Sequence, residues 1–153
     1  MNAPGSHHDW TDANQRLLVA EFARIKARLA GENSTVATEH VIEMRAAMPA
    51  SSAIDRVADC FGLSTFECDV LLLCAGVEMD SNLAGLCAAN SNTQRSQATF
   101  GLALAALAEP HWSALSPVRP LRRWRLVEVT DESSLTNARL RIDERVIVIV
   151  TLK

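Results

Sequence analysis

The chain has 153 residues, 48% hydrophobic and 22% charged, with a net charge of −3. That length suits one compact domain, or a small domain with a helical extension, and the apolar share is enough for a core. The acidic balance argues against nucleic acid as the main partner, because polyanion binders carry a basic excess. No apolar run approaches the roughly 20 residues that span a bilayer, and the polar start, Met1 to Asp12, lacks the basic and apolar order of an export signal. A soluble, cytoplasmic protein is expected, with no membrane partner. Aromatics are 5% of the chain and tyrosine is absent, a balance that leans towards helix.

Residues 1–8 read as a disordered tail and residues 9–50 as an N-terminal helical extension. Within the extension Leu17, Leu18, Phe22, Ile25 and Leu29 recur at helical spacing, behind a cap at Asp9 or Thr11, and Gly31 ends the helix. A second, weaker helix runs from Val36 to Met48, with Val41, Met44 and Met48 on one stripe, and Pro49 stops it. Residues 51–153 then form one further domain. Ser52 followed by Asp55 caps a helix carrying Ile54, Val57, Ala58 and Phe61, which Gly62 closes. Ser64 and Glu67 make a capping box in front of Val70 to Ala75, a helix apolar on nearly every side and therefore central. Gly76 is expected to end it, and Asp80 or Ser81 to start the next, through Leu86 and Cys87.

A polar loop follows from Asn90 to Gln97, and Thr99 caps a short helix to Leu107. Pro110, Pro117 and Pro120 punctuate the next stretch, with one helical turn between His111 and Leu115. Trp124 to Val129 and Leu135 to Ile142 have strand composition and can pair as a hairpin across the turn Thr130 to Ser134. Val146 to Val150 is a β-branched run that periodicity assigns to a strand. It either adds to the hairpin sheet or fills the place of a missing helix. The fold class is mainly α with a small β-hairpin: a winged-helix-like domain preceded by the helical extension. Cys60, Cys68, Cys74 and Cys87 lie among apolar residues and read as buried, reduced and structural.

The stretch Phe61-Gly62-Leu63-Ser64-Thr65-Phe66-Glu67, running on through Asp69 to Asp80, resembles the N-terminal region of a family of bacterial AAA+ ATPases. So do Thr99 to Ala105, Pro110 to Pro117 and Pro120 to Val129, and the likeness ends at Leu140 to Val146. The resemblance implies a winged-helix variant ahead of an ATPase module, in a family with members that accompany phage-tail-like contractile injection systems. It implies an accessory role in client engagement or assembly for an ATP-driven machine. The chain reads as truncated before the ATPase module.

The chain has no phosphate loop of the form G-x-x-x-x-G-K-[ST], so no nucleotide-hydrolysing role is expected of it. No His or Cys spacing points to a metal, no nucleophile has a local base, and no cofactor is expected. The chain is therefore read as a non-enzyme. The most concentrated charge feature is Arg119, Arg122, Arg123 and Arg125. With Trp112 it forms the candidate interaction surface, since aromatics and arginine dominate protein interfaces. Trp112 and Trp124 read first as core residues behind the wing, and otherwise as interface anchors. The candidate recognition helix, Thr99 to Leu107, has no Arg, Lys, Asn or Gln to reach base edges. The leading function is thus a non-catalytic accessory domain that binds protein, either the ATPase module or a client. The alternatives are a DNA-binding winged-helix regulator, or an inactive remnant of a truncated ATPase gene. The client, pathway and oligomeric state are not encoded in any motif.

Overall fold

Five helices make the first part of the fold, and side-chain caps set the starts of three of them. In the computed structural model, which describes residues 6–90, 95–130 and 134–151, with side chains from residue 9 on, they are α1 (Ser6–Leu29), α2 (Thr35–Ala46), α3 (Ala53–Phe61), α4 (Thr65–Met79) and α5 (Ser81–Ala89). Helix α1 begins at Ser6, so residues 6–8, expected in the tail, are its first turn. Asp9 sits in that turn, where the helix dipole favours an acid. The rest of the expected tail, residues 1–5, lies outside the described residues.

Helix α1 buries two faces. Leu18, Phe22, Ile25 and Leu29 join the main core with α4, whereas Leu17 and Ala20 meet Val41 of α2, flanked by Met44 and Met48. Helix α1 thus contributes to the same core as the rest of the chain, and α2 packs on it through a smaller, second cluster. Ser52 Oγ accepts the Asp55 amide at 3.2 Å, and Gly62 closes α3 at φ 67. The capping box of α4 is complete: Ser64 Oγ accepts the Glu67 amide and Glu67 Oε1 accepts the Ser64 amide.

Gly76 does not end α4. The helix continues to Met79, and Asp80 caps α5 by accepting the amides of Asn82 and Leu83. Partial burial opposes the Asp80 charge, but hydrogen bonds from Lys26, Leu83 and Asn82 hold its carboxyl below the usual carboxylate range. The glycine serves packing instead. A Cβ at Gly76 would overlap Cδ1 of Leu83, which is itself fully buried. We expect Gly76→Ala to destabilise the domain by about 1–2 kcal/mol through this overpacking. A urea titration reads the effect, and an unchanged midpoint would mean that Leu83 repacks freely.

The second part begins with β1 (Ala98–Thr99), a two-residue strand that composition did not announce. Thr99 Oγ1 then caps α6 (Phe100–Ala106) by accepting the Leu102 amide. A 3-10 turn (Trp112–Leu115), the one-turn helix α7 (Pro120–Arg123), β2 (Val127–Thr130), β3 (Arg139–Ile142) and α8 (Glu144–Val150) follow. The strands form one antiparallel sheet in the order β1-β3-β2, with Val127 opposite Ile142 and Ala98 opposite Leu140. The expected hairpin is present. Residues 131–133 of its turn and 91–94 of the preceding polar loop lie outside the described residues.

The C-terminal apolar run is a helix, not a strand. Asp143 Oδ1 accepts the Arg145 amide as the cap of α8, and its carboxyl is held low by its hydrogen bonds with Arg145. Val146 and Val150, four residues apart, turn inwards on the face that meets α3, while Val148 and Ile149 stay exposed. Tertiary packing of an i, i+4 pair has overridden β-branched propensity. Buried Asn14 of α1 binds both neighbours: Oδ1 accepts the Ala53 amide at 2.9 Å, and Nδ2 donates to the Val150 carbonyl at 3.3 Å.

Candidate interaction surface

The surface forms where α7 turns into β2. Pro120 occupies the first turn of α7, where its fixed φ and missing N–H are tolerated. The helix closes with the Arg125 amide on the Arg122 carbonyl at 3.2 Å and the Leu126 amide on the Leu121 carbonyl at 3.0 Å. Leu121 and Leu126 are both buried, so the corner is anchored from below while Arg123, Trp124 and Arg125 face solvent.

The five candidate residues separate into two kinds. Arg119 forks onto Glu67, with Nη2 to Oε1 at 2.6 Å and Nε to Oε2 at 3.2 Å, and Glu67 is 0% exposed. Arg122 donates Nη1 to the Leu115 carbonyl at 3.3 Å. Both are engaged in the fold. Arg123 lies over the Trp124 ring, 5.2 Å from its centroid. The Arg125 side chain makes no hydrogen bond or ion pair among the described residues and is exposed. Trp112 stands edge-on to Phe100 with ring centroids 5.9 Å apart, yet it is 68% exposed.

The tryptophans therefore do not sit in the core behind the wing. Trp124 is 51% exposed and packs against Phe61 at 6.0 Å. Val118 is exposed as well, a residue that sequence reading did not single out. Its signal was local: an apolar side chain between Pro117 and Pro120, with no periodic partner.

The order α6, 3-10 turn, α7, β2 also reassigns the recognition element. In a helix-turn-helix the second helix does the reading, and the helix next to the wing is α7, not α6. It has four residues, so it is about 6 Å long.

Other polar clusters are closed on themselves. Arg24 links Glu21 and Asp69, and Arg45 links Asp55, beside a groove of about 500 Å³ between α1, α2 and α4. Burial opposes the Arg24 charge, but the hydrogen bond to Asp69 and the adjoining carboxylates raise its affinity for the proton further. His111 has both ring nitrogens occupied, by Ser64 Oγ at 2.8 Å and Ser113 Oγ at 2.9 Å. The cysteines are all free, but they are not uniformly buried. Cys60 is exposed on α3, and Cys68 is half-buried with its thiol pushed up to about 12, first by burial and then by Asp69. Among the described residues no three His, Cys, Asp or Glu side chains converge as a metal set. No single helix among them is long and apolar enough to cross a membrane.

No curated protein and no solved structure matches the chain. A family model described as "winged helix domain, variant" matches residues 5–151. The three-stranded wing sheet, the helix-turn-helix order and this match agree, and the chain belongs to the variant winged-helix-domain family.

Proposed function

We propose that this winged-helix domain is a non-catalytic accessory module that binds protein in the cytoplasm. In the fuller form of the proposal it serves an AAA+ ATPase, of the kind that accompanies contractile injection systems, and engages either the ATPase module or a client. The observation that carries the reading is the composition of the α7–β2 corner. Arg123, Trp124 and Arg125 are exposed together beside a recognition element only one turn long. A helix of four residues cannot lie along a major groove, and α6 offers no Arg, Lys, Asn or Gln for base edges. Exposed tryptophan with arginine is what protein hot spots are made of.

Fluorescence anisotropy with a labelled duplex, at low and moderate salt, tests the reading. We expect no tight binding. Tight binding that falls steeply with salt would instead establish a DNA-binding winged helix. In parallel, Arg123→Ala with Trp124→Ala should abolish partner capture from a native extract while leaving the melting temperature near that of the parent chain. A chain that captures the same partners after both changes would place the interface elsewhere.

A further inference from the structure

We infer that the α7–β2 corner is a docking site for an acidic segment of a protein partner that also carries an apolar side chain, and that Arg125 is the residue around which the site is built. The inference rests on the protein-binding reading above and goes further by naming the partner's chemistry.

The first observation is a backbone comparison within the chain. Helices α1, α3 and α7 all end on a residue in the left-handed region, and in each the next amide reaches back to the carbonyl five residues earlier. The bonds are Glu32 to Ala27 at 2.9 Å, Leu63 to Ala58 at 3.0 Å and Leu126 to Leu121 at 3.0 Å. The left-handed residues at these three ends are Gly31 at φ 71, Gly62 at φ 67 and Arg125 at φ 54; Glu109, also at φ 54, lies in the loop after α6. Glycine suits this helix ending because a Cβ is strained there. At Gly31 and Gly62 an added Cβ would meet nothing within 4 Å, so backbone conformation alone accounts for glycine at those two ends. At the third end the chain accepts the strain and keeps a long cationic side chain. That side chain makes no hydrogen bond or ion pair among the described residues, so the fold itself does not use it.

The second observation is charge. The chain carries a net −3, yet Arg123 and Arg125 meet no carboxylate among the described residues. Glu128, the nearest acid along β2, stands opposite Arg141 in the strand pairing. The third is the ring. Trp124 rests on Phe61 and lies beneath Arg123, so an apolar surface sits within reach of two unmatched cations. An acidic stretch with a leucine or aromatic side chain complements that combination. A duplex would need a longer row of phosphate contacts than two arginines provide.

The test uses the full chain and a short fluorescein-labelled peptide that alternates glutamate with leucine and phenylalanine, alongside versions with lysine or glutamine in place of glutamate. We expect the acidic peptide to bind about tenfold more tightly than either control. Arg125→Gly should weaken that binding about fivefold while raising Tm by about 2 °C, because glycine relieves the left-handed backbone. Arg125→Asn, also tolerant of that backbone, should behave in the same way, and Arg125→Lys should retain most of the affinity at an unchanged Tm. Equal binding of the three peptides, or a stabilised Arg125→Gly chain with undiminished affinity, would overturn the inference. If native partners are still captured by Arg125→Gly, this site falls and the protein-binding reading stands. If a duplex binds tightly and Arg125→Gly releases it, both fall.

Discussion

Replacing Arg119 with alanine lowers the unfolding free energy by about 3 kcal/mol, as read by urea titration at neutral pH. The size follows from what the arginine leaves behind. Glu67 is fully buried at the start of α4, and its carboxylate is satisfied by the Ser64 amide at 2.9 Å and by both prongs of the Arg119 fork. Without the guanidinium, a buried negative charge keeps a single N–H partner. The Arg119 side chain is 39% exposed, which tempers the Coulombic part and sets the estimate at the lower end for a broken buried pair. Arg119→Lys should recover only part of the loss, because an ammonium cannot reproduce the bidentate geometry. A loss under about 1 kcal/mol would class the pair with ordinary surface ion pairs. The expected loss of about 3 kcal/mol would bear on function, since Arg119→Ala would then disturb partner binding through the fold and not through lost contact.

Removing everything from Glu144 onwards should lower Tm by roughly 10 °C in a calorimetric scan. The deletion takes out buried Val146 and Val150 together with half-buried Ile147, and it uncovers the inner face of α3. Two fully buried valines and part of an isoleucine are worth about 4 kcal/mol, and each kcal/mol moves Tm by about 2–4 °C in a domain of this size. Val148→Ser should do nothing measurable, because that side chain is 58% exposed. If the shortened chain melts where the full one does, α8 is not part of the core.

The caps were legible because their chemistry is local. Ser52, Ser64, Asp80 and Thr99 each accept an amide within three residues, so spacing alone locates four helix starts. The core stripe of α1 and the hairpin strands were legible from periodicity for the same reason. What failed was tertiary in origin. Gly76 looks like a stop, yet Leu83 needs its missing side chain. Val146 to Val150 has strand composition, yet α3 accepts it as a helix. At the candidate surface the arginine cluster was visible as a cluster, but not its division. Only the fold brings Glu67 to Arg119, across 52 residues, and leaves Arg125 without a partner. The left-handed backbone at Arg125 carries no sequence signature, since arginine, unlike glycine or asparagine, does not suggest it.

The Asn14 clasp bears on the order in which the molecule assembles. Its bond to the Val150 carbonyl joins positions 136 residues apart, and its other bond reaches the first residue of α3. Closing so long a loop carries an entropic cost that no local contact offsets beforehand. The amide can bridge α3 and α8 only after both have docked against α1. We expect it to act as a latch that sets late in folding and opposes separate unfolding of the terminal helix and the first helix. We expect the two ends of the described chain to hold or release together, as one melting transition followed by circular dichroism and by tryptophan fluorescence alike.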